Sequence, residues 1–223
     1  MQVISVNVGR ARPNPYKAAH TTGIEKLPQS GPVEVRAPGP RSGGLGSGVV
    51  GDHIGDRRHH GGDVQAVYAF AREDLDRWQH ELGRELASGA FGENLTTAGL
   101  DLSGCLLGER WRVGTAELVV TVPRIPCSTF RGWLGVRGWL RRFTLDGRPG
   151  TYLSVAQPGL VAPGDPVQVL HRPDHGVTVG QTFRAMTTEP GTLPDLLAAG
   201  DDLSEELRRA ATARLAEPAT AEG

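Results

Sequence analysis

Alternating apolar and polar positions in "QVISVNV" (residues 2–8) predict a first strand. "PVEVRA" (32–37), "TYLSVA" (151–156) and "DPVQVLHR" (165–172) predict further short strands. "ERWRVGTAELVVTV" (109–122) predicts a β-hairpin turning at Gly114. Helical spacing of Leu75, Trp78 and Leu82, behind early acidic residues, predicts a helix in "AREDLDRWQHELGREL" (71–86). "RGWLGVRGWLRRF" (131–143) predicts another helix, with its two "RGWL" copies a local coincidence. After about residue 177 the pattern turns helical in "VTVGQTFRAMTT", "LPDLLAAG" and "SEELRRAATARLA", the last with Ser204 as N-cap. A boundary is expected near residues 173–177 and a frayed tail after Ala216.

Composition fits this loop-rich, β-dominated picture. The 223 residues include 31 glycines and 16 prolines, with 38% hydrophobic and 22% charged residues, enough to bury a core. The formal net charge of −1 argues against stable nucleic-acid binding or a membrane surface. Residues 1–10 are too short and polar for a signal peptide, and no apolar run approaches membrane-span length, so a cytoplasmic location is expected. Two cysteines far apart in sequence do not make a disulfide framework, which points to thiol chemistry.

"VTVPRIPCSTF" (120–130) starts as an apolar strand and delivers Cys127 immediately after the second of two prolines, three residues from Arg124. Nearby positive charge lowers a thiol pKa, which suits a soft metal ligand or a nucleophile. A small buried apolar residue is the alternative, and Cys105 among its leucines reads that way. "GDHIGDRRHHGG" (51–62) packs Asp52, His53, Asp56, Arg57, Arg58, His59 and His60 together. Its spacing matches no zinc motif, and adjacent arginines repel a cation, so it reads as a polar-ligand loop or a solvated one. "FGENLTT" (91–97) places Glu93 and Asn94 to orient a ligand or to build a turn.

In chain order, "GIEKLP", "GDHIGDRRHHGGDVQAVYAF", "GAFGENLTT", "PRIPC" and "GRPGTYLSV" resemble the MOSC domain family, named after the C-terminal domain of molybdenum cofactor sulfurase. The resemblance is to its YiiM-like branch and covers residues 1–215. It implies an α+β fold that is mainly β: a MOSC-type β-barrel over residues 1–175, a small three-helix domain over 176–216 and a disordered tail over 217–223. It implies the molybdenum cofactor as ligand, with Cys127 binding molybdenum. Lys26 and Arg124 would be anion partners, and His60, Glu93 and Asn94 would shape the pocket. His53 stands where many relatives carry arginine or glutamine, so its charge would follow pH near neutrality unless Arg57 takes that role.

The implied activity is reduction of small N-hydroxylated compounds of the hydroxylaminopurine type. Electrons would come from a separate reductase, because the chain has no nucleotide-binding glycine fingerprint and too few cysteines for an iron–sulfur cluster. Two other readings stay open, a persulfide carrier on Cys127 and a module that only binds and delivers the cofactor. Homodimer formation is a further expectation.

Overall fold

A computed structural model describes residues 1–18 and 21–216, so the tail expected over 217–223 lies outside the described residues. The main strands are β1 (Gln2–Gly9), β4 (Lys26–Pro28), β6 (Val67–Ala71), β7 (Leu95–Ala98), β8 (Arg110–Val113), β9 (Ala116–Pro123), β10 (Thr151–Gln157) and β12 (Val167–His171). Short strands β2 (Arg12–Pro13) and β3 (Thr21–Thr22) pair with each other, as do β5 (Val33–Val35) and β11 (Gly159–Val161).

One sheet runs in the order β12-β8-β9-β10-β6-β7-β1-β4, antiparallel except for the β6–β7 pair. The strands form the expected mainly β, α+β fold, in which the sheet curls without closing on itself. β1 divides its remaining backbone bonds between β4 and the turn before β12, where Val3 N–H donates to Asp165 at 2.9 Å and Val167 N–H to Met1 at 3.1 Å. A single bridge, Gln2 with Pro166, therefore stands where a ladder would close the sheet.

Helix α1 (Arg72–Leu82) buries Leu75 and Trp78 and ends at Gly83 in the left-handed conformation. The helix expected over 131–143 is instead two, α2 (Ser128–Leu134) and α3 (Trp139–Asp146). Gly135 and Gly138, at φ 65° and 69°, end one and start the other, a conformation that interrupts the helical ladder. The break turns Trp139 and Phe143 into an aromatic cluster with Phe70, Trp78, Phe91, Phe130 and Phe183. A separate aliphatic cluster fills the sheet's inner face, including Val6, Val67, Leu95, Leu118, Val120 and Leu153.

Beyond β12, α4 (Val179–Thr187) starts on a reciprocal cap between Thr178 and Gln181. Residues 190–202 form 3-10 turns rather than the expected helix, with Pro190 and Pro194 removing donors and a kink at Gly200. Helix α5 (Glu205–Ala216) follows, and Leu196, Ala199, Leu203 and Leu207 join the aliphatic cluster of the strands. Among the described residues no helix is long and apolar enough to cross a membrane.

Phe143 touches the rings of Phe91, Phe130, Trp139 and Phe183 with centroids 5.2 to 6.4 Å apart. Phe143→Ala is expected to cost about 3–5 kcal/mol in urea unfolding; a loss below about 1 kcal/mol would show that the cluster does not hold this side of the molecule.

Candidate functional site

Strand β9 pairs with β10 as far as Pro123, where the missing N–H ends the ladder. The next residues run extended to Cys127, at φ −121° and ψ 170°, and α2 begins immediately after it. Arg124 turns inward on this bend and is only 5% exposed. Its Nη1 donates to the Phe91 carbonyl at 2.9 Å, and its guanidinium lies 3.7 Å from the Phe130 ring centroid and 5.3 Å from that of Tyr68. Stacking satisfies a buried guanidinium that an ammonium could not match.

That cation faces the half-buried Cys127. Burial pushes the thiol up, but a hydrogen bond with His60 and the charge of Arg124, with the Phe130 amide helping, bring it down to about 6. Cys127 is therefore largely thiolate at neutral pH. Cys105 is the opposite case, buried with its thiol pushed well up by desolvation and by Glu109.

The frame behind this centre is Asp52, whose side chain is fully buried. Its Oδ1 accepts from Gly9 N–H at 2.8 Å and from Lys26 Nζ. Its Oδ2 accepts from Ser47 Oγ at 2.8 Å and Asn94 Nδ2 at 3.1 Å. Asn94 in turn accepts from Tyr68 N–H at 3.2 Å, tying the frame to the ring that Arg124 stacks on. Gly9 and Gly23 permit the close layering here, since a Cβ on Gly9 would sit 2.1 Å from the Gly23 carbonyl and one on Gly23 2.1 Å from the His53 carbonyl.

Lys26, His53, His60, Arg124 and Cys127 meet on an open cleft that encloses about 90 Å³. His53 shares a hydrogen bond with Thr21 Oγ1 at 2.9 Å. Burial, together with Arg57 and Lys26, lowers its pKa against the pull of Asp52, which favours a neutral ring. Three of the expected residues do not line the cleft itself. Glu93 is fully buried and accepts from Gly89 N–H at 2.5 Å, Phe91 N–H at 3.0 Å and Thr96 Oγ1 at 2.9 Å, so it builds its own loop. Asn94 stands behind the cleft, in contact with Asp52 rather than at its surface. Arg57 donates to the carbonyls of Gly44 and Leu45 and pins the glycine-rich loop.

Asp52, Tyr68 and Tyr152 help build the site but were not among the expected site residues. Asp52 had a signal in the "GD" of "GDHIG"; the tyrosines occupy ordinary strand positions and had none. A second cavity of about 540 Å³ adjoins the cleft and shares Cys127, His60 and Tyr152 with it. Asp52→Ala would strand the Lys26 ammonium and is expected to cost about 3–5 kcal/mol in urea unfolding. A loss under about 1 kcal/mol would contradict the framing role given to this carboxylate.

A profile of the MOSC domain matches residues 56–168. YflK of Bacillus subtilis, an uncharacterised protein, is 32% identical over 178 residues, which span 79% of this chain and 76% of that one. A protein named reductase from Gibberella moniliformis is 28% identical over 175 residues, 77% of this chain but only 29% of its own length. The crystal structure of YiiM from Geobacillus stearothermophilus superimposes with a TM-score of 0.77 at 27% identity, over 96% of this chain and 99% of that one. With the ordered motifs and the α+β sheet, these likenesses place the chain in the MOSC domain family, in its YiiM-like branch.

Proposed function

We propose that this chain binds the molybdenum cofactor through Cys127 and reduces small N-hydroxylated compounds. The observation that carries this reading is a thiolate presented on a cleft beside Arg124, His60 and Lys26. MOSC domains are associated with that cofactor, and one relative bears the name reductase. Among the described residues no three His, Cys, Asp or Glu side chains gather as a metal cage. A metal held here would thus bring most of its ligands with it, as a dithiolene-bound metal does, and a single soft thiolate suits molybdenum.

The donor set fits such a group. Cys127 is already ionised near neutrality, so binding a metal need displace little proton from Sγ. Lys26 carries three N–H donors, of which the bond to Asp52 uses one, and with Arg124 it supplies positive charge for an anionic pterin phosphate. His53, kept neutral, and Thr21 offer hydrogen bonds along the same wall. When bound, the cofactor supplies a two-electron couple and coordination positions for the substrate oxygen. The overall change, R–NHOH plus two electrons and two protons to R–NH2 and water, needs protons at the N–O oxygen. His60, on the wall shared by both cavities, is placed to deliver one from a ring nitrogen. The electrons come from a separate reductase.

A thiolate of this kind also suits the persulfide-carrier reading. Metal, pterin and sulfane-sulfur analysis of protein from a cofactor-making host separates the two. Molybdenum and pterin are expected with the wild type. Cys127→Ala should lower molybdenum content by at least about tenfold, the lower bound for losing even an outer partner of a metal ligand. A Cys127→Ala variant retaining both metal and N–O reduction would overturn the assignment, and sulfane sulfur without molybdenum would favour the carrier.

A further inference from the structure

The larger cavity beside Cys127 has walls of a different character from the cleft. Its volume of about 540 Å³ falls among sites that take small organic molecules. Cys127, His60 and Tyr152 form its junction with the cleft. Val64, Ile125 and Pro126 line it from the sheet side, and Met186 of α4 and Leu207 of α5 from the C-terminal helices. Val64, Ile125 and Met186 are large apolar side chains left 38%, 38% and 39% exposed, surface that an apolar body would cover favourably. The helical wall lies beyond residue 168, where the MOSC match ends.

Cations on the described rim already have acidic partners. Lys17 pairs with Asp56, Arg41 with Glu206 at 3.4 Å and Arg209 with Glu205 at 3.7 Å. Among the described rim residues a phosphate arriving here meets cations already paired and two mainly exposed carboxylates, Glu205 and Glu206. The Arg41–Glu206 pair also joins the glycine-rich loop to α5 across the cavity rim.

We propose that this cavity is the substrate site of the Cys127 centre, with α4 and α5 as its selective wall, and that it takes a flat apolar N-hydroxylated compound lacking a phosphate. The substrate's reactive group rests on the N–O reduction reading; the route to Cys127 does not.

Thiol labelling tests the route without the loaded enzyme. The full chain, made without the cofactor, is treated with N-phenylmaleimide or with the smaller iodoacetamide, and Cys127→Ser gives the blank. Met186→Trp should slow the phenyl reagent about tenfold and iodoacetamide less than about threefold. Equal rates for wild type and variant with the phenyl reagent, or equal slowing of both reagents, would overturn the proposal. From a cofactor-making host, Met186→Trp should hold wild-type molybdenum; its loss would assign the cavity to the cofactor and also overturn it. Relative to a simple thiol, N-(4-carboxyphenyl)maleimide should lag the phenyl reagent by about threefold or more, and Glu205→Gln with Glu206→Gln should close that gap. No lag would refute the exclusion of phosphate. Wild-type holoprotein that fails to reduce an N-hydroxylated aromatic compound, with the labelling pattern intact, would count against the activity and not the cavity.

Discussion

A carboxylate with no exposed surface costs several kcal/mol unless donors and a counter-charge meet it. Asp52 obtains four donors from four separate segments: the end of β1, β4, the glycine-rich loop and the loop before β7. Satisfying that one group requires segments up to 85 residues apart to converge on it, Gly9 and Asn94 among them. The glycines at 9 and 23 are what allow their backbones to come close enough. The cleft is the outer surface of that convergence, with Lys26 and His53 as its immediate neighbours.

The reactive sulfur is held from the other side. Arg124 is a buried cation whose charge acts on the thiolate, and aromatic faces rather than a carboxylate accompany it. A carboxylate partner would neutralise its charge; Phe130 and Tyr68 cover it while leaving its field directed at Cys127. The aromatic cluster beneath α2 and α3 thus does chemical as well as structural work. Removing a ring there would loosen the guanidinium that, with His60, lowers the Cys127 thiol, so stability and chemistry are coupled through packing.

Much of this could be read along the chain. Alternation located β1, β8, β9, β10 and β12, and spacing located α1. The order of short motifs located Lys26, His60, Arg124 and Cys127, which the fold does bring together. What failed had local causes. Gly135 and Gly138 split one helical pattern in two, and prolines turned another into 3-10 turns. Of the two readings open for Glu93, ligand or turn, its amide bonds support the turn, and Arg57 donates to two loop carbonyls, a choice made by tertiary contacts that sequence spacing does not encode. Asp52 was visible as a letter but not as a hub, because its four donors are scattered through the first 94 residues.

The chemistry of the cleft turns on Cys127 being a thiolate at neutral pH because of its fixed surroundings, and its alkylation rate against pH measures that directly. Because only the thiolate reacts, the rate in cofactor-free protein should rise through a midpoint at about pH 6 and be level by neutrality. A rate still climbing with a midpoint of about 8.5, the value of an ordinary free cysteine, would contradict it.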